Sequence, residues 1–311
     1  MVKAMRINFV MSEDKQSGIL RDFSQYFKNF MPAHSKLVIT NEPDQSCDVF
    51  HYHRPNICKH IEGPSLTTVH HDPKDTDRWL DWSNFHLKYS NMDHIVCLNS
   101  TQKNFLISQG FKNSKISVIP HGYNPDLISM RKNRLTQQDS KFTLGMISKR
   151  YGRRVKGEAY FRELSKRIDT DKFKFLLVGE GRDLTAVELE SFGFEVQSFD
   201  YMPYKMIASF YAKIDALLVT SIFEGGPANL PEALVTRTPV FTTPVGMAPD
   251  FIVEGVNGYF LTGNYCADSQ LIMDRIGCFE EISSASLDNV PTWRDVVLRY
   301  TKIYEDLHRA G

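Results

Sequence analysis

Short runs of β-branched and aromatic residues, each followed by an amphipathic stretch, recur along almost the whole chain. In the first half the runs are RINFVM (6–11), KLVIT (36–40), DVFHYH (48–53), LTTVH (66–70), HIVCL (94–98) and ISVIP (116–120), with helical patterns near 17–31, 74–90 and 100–109. The second half repeats the order with FTLGMIS (142–148), KFLLVG (174–179), FEVQSF (194–199), DALLVTS (215–221), PVFTT (239–243) and GYFLT (258–262). Helical patterns there fall near 157–168, 183–192, 204–213, 230–237 and 248–254. Strand-helix alternation of this kind predicts parallel sheets joined by crossover helices, an α/β fold.

At about 150 residues per domain, 311 residues suggest two domains. The pattern breaks at 124–141, NPDLISMRKNRLTQQDSK, which is polar and basic and reads as a linker with one helical stretch. The division is therefore 1–135, 136–290 and a final helix in 291–311, where Val297, Tyr300, Ile303, Tyr304 and Leu307 form an apolar stripe that must be buried. Ligands of open α/β sheets bind beyond the carboxyl ends of the strands, so two such sheets predict a site in an interdomain cleft.

Composition narrows the function. Lys plus Arg and Asp plus Glu are 37 each, and this balance argues against a dedicated nucleic-acid binder. The five cysteines (47, 58, 97, 266, 278) include no CxxC pair and read as small buried hydrophobes in a reducing compartment. The N-terminus lacks the apolar stretch of a signal peptide, and no run reaches the ~18 apolar residues of a membrane span, so the expected location is cytoplasmic.

Three segments directly after strands carry chemistry. In IFEGGPANLPEA, Glu224 follows a strand and Glu232 falls in the first turn of the next helix, so both carboxylates can face one cleft. Gly225 and Gly226 let backbone approach a ligand, and amides near Ala228, Asn229 and Leu230 suit anions or ligand oxygens. Asn229 followed by Glu232 also fits a helix capping box, which would give Glu232 a structural duty instead. In SKRYGRRVKG, the cations Lys149, Arg150, Arg153, Arg154 and Lys156 follow a strand and open a helix, where a diphosphate would be expected. A solvated charge run is the alternative. In TTVHHDP, His70 or His71 would point toward the cleft beside Asp72, while His121 reads as a turn residue. His51, His53, His70, His71 and Asp72 follow no zinc-ligand spacing.

At these residues the chain resembles glycosyltransferase family 4, the retaining nucleotide-sugar enzymes of the GT-B fold. DHIVCLNSTQKNFLISQGFKNSKISVIPHGYN (93–124), LLVGEG (176–181), EGGPANLPEA (224–233) and PVFTTPVGMAPDFIVEGVNGYFL (239–261) carry the resemblance. It implies two Rossmann-like domains facing across a cleft, an acceptor side in 1–135 and a donor side in 136–290, with the last helix crossing back to the first domain. It implies that Glu224 and the amides of Gly225 to Leu230 surround the donor sugar, and that Glu232 accepts hydrogen bonds from the ribose. It further implies that Arg150 and Lys156 contact the diphosphate, with Lys149 or Arg153 as alternatives to Arg150. His70 would approach the sugar, and Tyr201 and Met202 would line the base. Gly18 stands where the family often has a glycine pair, and Gly18 and His71 are assigned to an acceptor or donor loop.

The expected activity is metal-independent transfer of a sugar from a nucleoside diphosphate sugar to a glycan, lipid-linked or small-molecule hydroxyl, with retained configuration. No cofactor and no nucleic acid are expected. Peripheral membrane contact and oligomeric state stay open. A sugar-nucleotide epimerase or phosphorolytic enzyme of the same architecture, and a non-catalytic nucleotide-sugar-binding subunit, are the other readings.

Overall fold

The computed structural model describes residues 4–11, 18–128, 141–276 and 290–311. The chain divides into two compact units: Met1–Gly122 with Glu224–Ala228 and Pro291–Gly311, and Tyr123–Phe223 with Asn229–Val290. Each is built on its own six-stranded, all-parallel sheet.

In the first unit the strands are β1 (Met5–Val10), β2 (Ser35–Thr40), β3 (Val49–Tyr52), β4 (Ser65–Val69), β5 (His94–Cys97) and β6 (Ile116–Val118), in the order β2-β1-β3-β4-β5-β6. β3 and β4 are buried at every position, as strands covered on both faces must be. Helices α1 (Gly18–Phe30), α2 (His86–Ser90) and α3 (Ser100–Ser108) accompany them.

The second unit contains β7 (Phe142–Ile147), β8 (Phe173–Val178), β9 (Glu195–Phe199), β10 (Ala216–Val219), β11 (Val240–Thr242) and β12 (Gly258–Phe260), ordered β12-β11-β10-β7-β8-β9. Its helices are α4 (Glu158–Ser165), α5 (Arg182–Ser191), α6 (Ile207–Lys213), α7 (Asn229–Val235), α8 (Ala248–Phe251) and α9 (Tyr265–Asp274). The order reverses between β7 and β10, so ligands are expected beyond the carboxyl ends of those two strands.

The last helix, α10 (Trp293–Ala310), starts on a capping box between Thr292 and Asp295 and packs on α1 of the first unit. Trp293 stacks on Tyr26, and Tyr300 meets Phe23 and Phe27 edge-on. The buried stripe is Trp293, Val296, Val297, Tyr300, Thr301 and Tyr304, so it is centred about a turn earlier than the expected one; Ile303 and Leu307 are only partly buried. Burying each large apolar side chain of this kind contributes roughly 1.5–3 kcal/mol, which anchors the helix.

Several expectations need correction. The helix expected over 74–90 forms only at its end, as a 3-10 turn at Trp82–Asn84 and α2. Before that, the side chains of Asp72, Asp75, Asp77 and Asp81 each accept a hydrogen bond from the backbone N–H two residues on. Such local bonds compete with helix formation. The stretch 124–141 does not begin as a free linker, because Ile128 is fully buried and Tyr123 and Leu127 pack on the core of the second unit. Residues 129–140 of it lie outside the described residues. Cys47, Cys58 and Cys97 are buried, but Cys266 is exposed in the first turn of α9, and Cys278 lies outside the described residues.

Candidate functional site

In the second unit, two segments meet at the carboxyl ends of β7 and β10. The Thr220 hydroxyl donates to the Lys156 carbonyl at 2.8 Å, and the Ile222 N–H donates to the Val155 carbonyl at 2.8 Å. The contact is close because residue 157 is glycine. Its φ is +74°, and a Cβ there would lie 1.9 Å from the Thr220 carbonyl oxygen. The basic segment is thus pinned to the strand end, which a freely solvated charge run would not be.

Its cations differ in setting. Lys149 is exposed and pairs with Glu180 at 2.6 Å, while Arg153 and Arg154 are exposed. Arg150 and Lys156 are partly buried. Arg150 donates to the Thr185 hydroxyl at 3.4 Å, and the Lys156 ammonium lies 5.8 Å from the centre of the Tyr151 ring. Sequence reasoning missed Arg182, which is 1% exposed and bonds the carbonyl and hydroxyl of Ser148 at 2.8 and 2.7 Å. Burial lowers its pKa to about 10, with Glu158 acting in the opposite sense and Arg150 adding to the decrease. Arg182 therefore fixes the point where the basic segment leaves β7.

Glu232 lies on α7, is 5% exposed, and accepts hydrogen bonds from the hydroxyls of Tyr204 (2.6 Å, to Oε1) and Tyr211 (2.8 Å, to Oε2). Burial, then the Glu232 carboxylate, pushes the Tyr211 phenol well above its usual range. The capping-box reading of Glu232 is not realised in the expected form, since Asn229 is itself the first helical residue of α7. Asn229 donates its amide to the Ile147 carbonyl at 3.1 Å, and its Oδ1 is buried without a partner. Leu230 is a core residue, Ala228 is partly buried, Met202 packs against the core, and Tyr201 is 75% exposed.

In the first unit, the loop Glu224–Ala228 is seated on the segment after β4. A Cβ at Gly225 would lie 2.2 Å from the His70 carbonyl oxygen, so this approach requires glycine. Asn99 donates its amide to the Gly225 carbonyl at 2.7 Å across 126 positions of sequence. The same Asn99 caps α3 by accepting from the Gln102 N–H. Gln102 donates to the carbonyls of Val69 and His71 at 3.0 and 2.9 Å. One helix start therefore holds both the glutamate loop and the histidine segment. The N-cap pattern of Asn99 with Gln102 three positions on is legible in sequence, but its long-range partners are not.

Glu224 and Gly226 are partly buried. Asp72 has its pKa raised, first by burial and lastly by the Glu224 charge, with Lys74 opposing. His71 packs on Phe85 at 4.1 Å, its Nε2 is buried without a partner, and burial lowers its pKa to about 4. His70 is partly exposed and forms a 2.9 Å hydrogen bond through Nε2 with Nδ1 of His53. His121, read as a turn residue, is 3% exposed, beside the Gly226 backbone and the Trp293 ring, and burial lowers its pKa to about 4. Gly18 is exposed at the start of α1 with open space around it, and the preceding residues 12–17 lie outside the described residues. Among the described residues, no group of three or more His, Cys, Asp or Glu is placed to hold a metal ion.

Residues 136–276 match the family model described as glycosyl transferases group 1. This stretch contains Arg150, Lys156, Glu224 and Glu232. The lipopolysaccharide 1,6-galactosyltransferase of Escherichia coli (strain K12) is 25% identical over 254 residues, covering 75% of this chain and 66% of that enzyme. A TarM variant from S. aureus superposes with a TM-score of 0.67 at 17% identity, covering 82% of this chain and 55% of that one. The chain thus spans just under two thirds of the first relative and about half of the second. HepE from Anabaena, solved with UDP and glucose, gives a TM-score of 0.72 at 18% identity over 98% of this chain and 100% of its own. The fold is the two-domain α/β architecture of the GT-B glycosyltransferases. Among the described residues no helix is long and apolar enough to cross a membrane.

Proposed function

We propose that the protein is a retaining, metal-independent glycosyltransferase that moves a sugar from a nucleoside diphosphate sugar to a hydroxyl acceptor. The observation that carries this reading is the seating of Gly225 on the His70 backbone, which brings the Glu224 loop and the histidine segment together. Both lie directly after strands in the sequence, and the glycosyltransferase resemblance implies a sugar contact for each. The family-model match and the galactosyltransferase relative support transfer as the reaction. HepE, with bound UDP and glucose, supports the donor class.

In this reading Arg150 and Lys156 offset the charge of the donor diphosphate as it departs. Glu232 accepts from the ribose hydroxyls, and Tyr201 and Met202 flank the base. Glu224 and the amides of Gly225, Gly226, Ala228, Asn229 and Leu230 surround the sugar, with His70 beside it. His71 and Gly18 belong to the surrounding acceptor or donor loops. The bond from the anomeric carbon to the phosphate oxygen breaks, and a bond to the acceptor oxygen forms on the same face. The acceptor proton leaves with the departing phosphate. No side chain forms a covalent intermediate.

The test is a panel of UDP-, GDP- and ADP-hexoses in calorimetry, followed by release of nucleoside diphosphate in the presence and absence of EDTA. At least one donor should bind, and EDTA should leave turnover unchanged. Glu224→Gln should lose roughly 10- to 150-fold in kcat/KM, as removal of a charge-assisted hydrogen bond does, with a much smaller change in affinity for the free nucleotide. Failure of every sugar nucleotide to bind at millimolar concentration would refute the proposal.

A further inference from the structure

The first unit lines up three histidines at the carboxyl ends of β3 and β4, with His51 and His53 buried and His70 partly exposed. His51 and His53 stack with ring centres 4.1 Å apart, and His53 and His70 lie at 5.2 Å with their rings 25° from parallel. His51 is fully engaged elsewhere: Nδ1 with the Tyr304 hydroxyl at 2.8 Å and Nε2 with the Thr68 hydroxyl at 2.8 Å. It therefore touches His53 only through its ring face. His53 has one polar contact, between its Nδ1 and Nε2 of His70 at 2.9 Å. Its other nitrogen, Nε2, is buried with no partner.

That orphan decides where the protons sit. The contact between the two rings holds a single proton, contributed by one of them. If His70 contributed it from Nε2, neutral His53 would have to carry its own proton on Nε2, leaving a buried N–H with no acceptor. If His53 contributes it from Nδ1, its Nε2 keeps only an unused lone pair. Buried N–H groups without an acceptor are rarer in folded proteins than under-used acceptors. A charged pair would satisfy neither constraint. His53 is 2% exposed, faces Phe9 at 4.6 Å and Phe23 at 5.3 Å, and has His51 and the Arg54 cation as its charged or titratable neighbours. Burial first, then these neighbours, holds it well below the usual histidine range, and His70 is lowered in the same way by burial, His53, His121, Arg54 and His71.

We propose that His53 is a positioning residue that locks His70 as the Nδ1–H tautomer, so that His70 meets its ligand as a hydrogen-bond donor and not as a base. The group it recognises is then an oxygen lone pair, of a sugar hydroxyl or a phosphoryl group. The identity of that ligand rests on the glycosyltransferase reading, while the tautomer does not. No proton is removed from the acceptor by His70 in this arrangement.

The experiment is a two-bond ¹H–¹⁵N correlation spectrum of the full chain labelled with ¹⁵N-histidine, at pH 7.5, with His70 assigned by His70→Asn. The expected result is a neutral His70 protonated on Nδ1. His53→Asn places an amide donor where Nδ1 was and should preserve that pattern. His53→Leu removes the donor and should shift His70 toward the Nε2–H form, with circular dichroism reporting retention of the fold. A wild-type His70 protonated on Nε2 overturns the proposal even if no variant folds. An unchanged Nδ1–H pattern in folded His53→Leu overturns the role of His53. With UDP-glucose as the probe donor, His53→Leu should lower kcat about tenfold, as loss of one oriented hydrogen bond does, while affinity for UDP is unchanged and His53→Asn restores turnover. If UDP-glucose and the other sugar nucleotides fail to bind, the functional reading falls while the spectrum still judges the tautomer.

Discussion

Glu232 holds two tyrosines at once. Its oxygens take the hydroxyls of Tyr204 and Tyr211, and Tyr211 is fully buried. Glu232→Ala should therefore destabilise the fold by about 1–3 kcal/mol through loss of two hydrogen bonds to a carboxylate, with the Asn229 carbonyl, 3.0 Å from the Tyr211 hydroxyl, left as that hydroxyl's acceptor. Chemical denaturation of Glu232→Ala beside Tyr204→Phe and Tyr211→Phe checks this; an unchanged midpoint in all three would contradict it. The spacing of Glu224 and Glu232 was visible in the sequence. The tyrosine partners were not, because they come from other elements and no local pattern points to them. The same limit explains why Asn229 and Glu232 read as a capping box: three-residue spacing is satisfied whether Asn229 precedes the helix or opens it, and the amide bond to Ile147 settles the matter only in three dimensions.

At the level of elements, most strands and helices were legible because parallel strands buried on both faces make unbroken apolar runs. The stretch 74–90 was not, since its aspartates spend their side chains on the local backbone. α9 escaped notice although Asn264 marks its start by accepting from the N–H groups of Cys266 and Ala267. Gly225 and Gly226 were read as room for a ligand, but Gly225 first serves the approach of one backbone to another, as does Gly157, which the sequence did not single out. Gly225→Ala would meet the His70 carbonyl and Gly157→Ala the Thr220 carbonyl, and Gly157 also sits at positive φ. Each should cost on the order of 1–3 kcal/mol or more, because the obstructing atoms are main chain and cannot swing aside. Thermal unfolding checks the order: Gly18→Ala, with open space around it, should leave the midpoint nearly where it was.

For the molecule as a whole, the buried histidines make acid the weak direction. His51, His53 and His70 are held well below the usual histidine range by burial, and His71 and His121 fall to about 4. Above pH 6.5 both folded and unfolded chains carry them neutral, so stability is flat on their account. Below it the unfolded chain takes up protons that the folded chain refuses. Each such group then costs up to about 1.4 kcal/mol per pH unit until its folded pKa is reached. The unfolding temperature should fall steadily from pH 6.5 to pH 5, a window above most carboxylate titration, and a flat profile there would show that the cluster accepts charge. None of this was legible in sequence, where His121 passed for a turn residue and His51 and His53 were noted only for lacking zinc spacing.

The path of the chain sets a practical rule. The first unit is assembled from three separate stretches, the middle one being only Glu224–Ala228. A gene cut after codon 122 would yield a fragment missing both that pentapeptide and the terminal helix, with the Trp293 and Tyr300 side of α1 laid bare. Its complement would carry both missing stretches, Glu224–Ala228 and Pro291–Gly311, which belong to the first unit. Split reporters, half-swaps with related proteins and expression of either half alone should accordingly join their pieces across all four junctions.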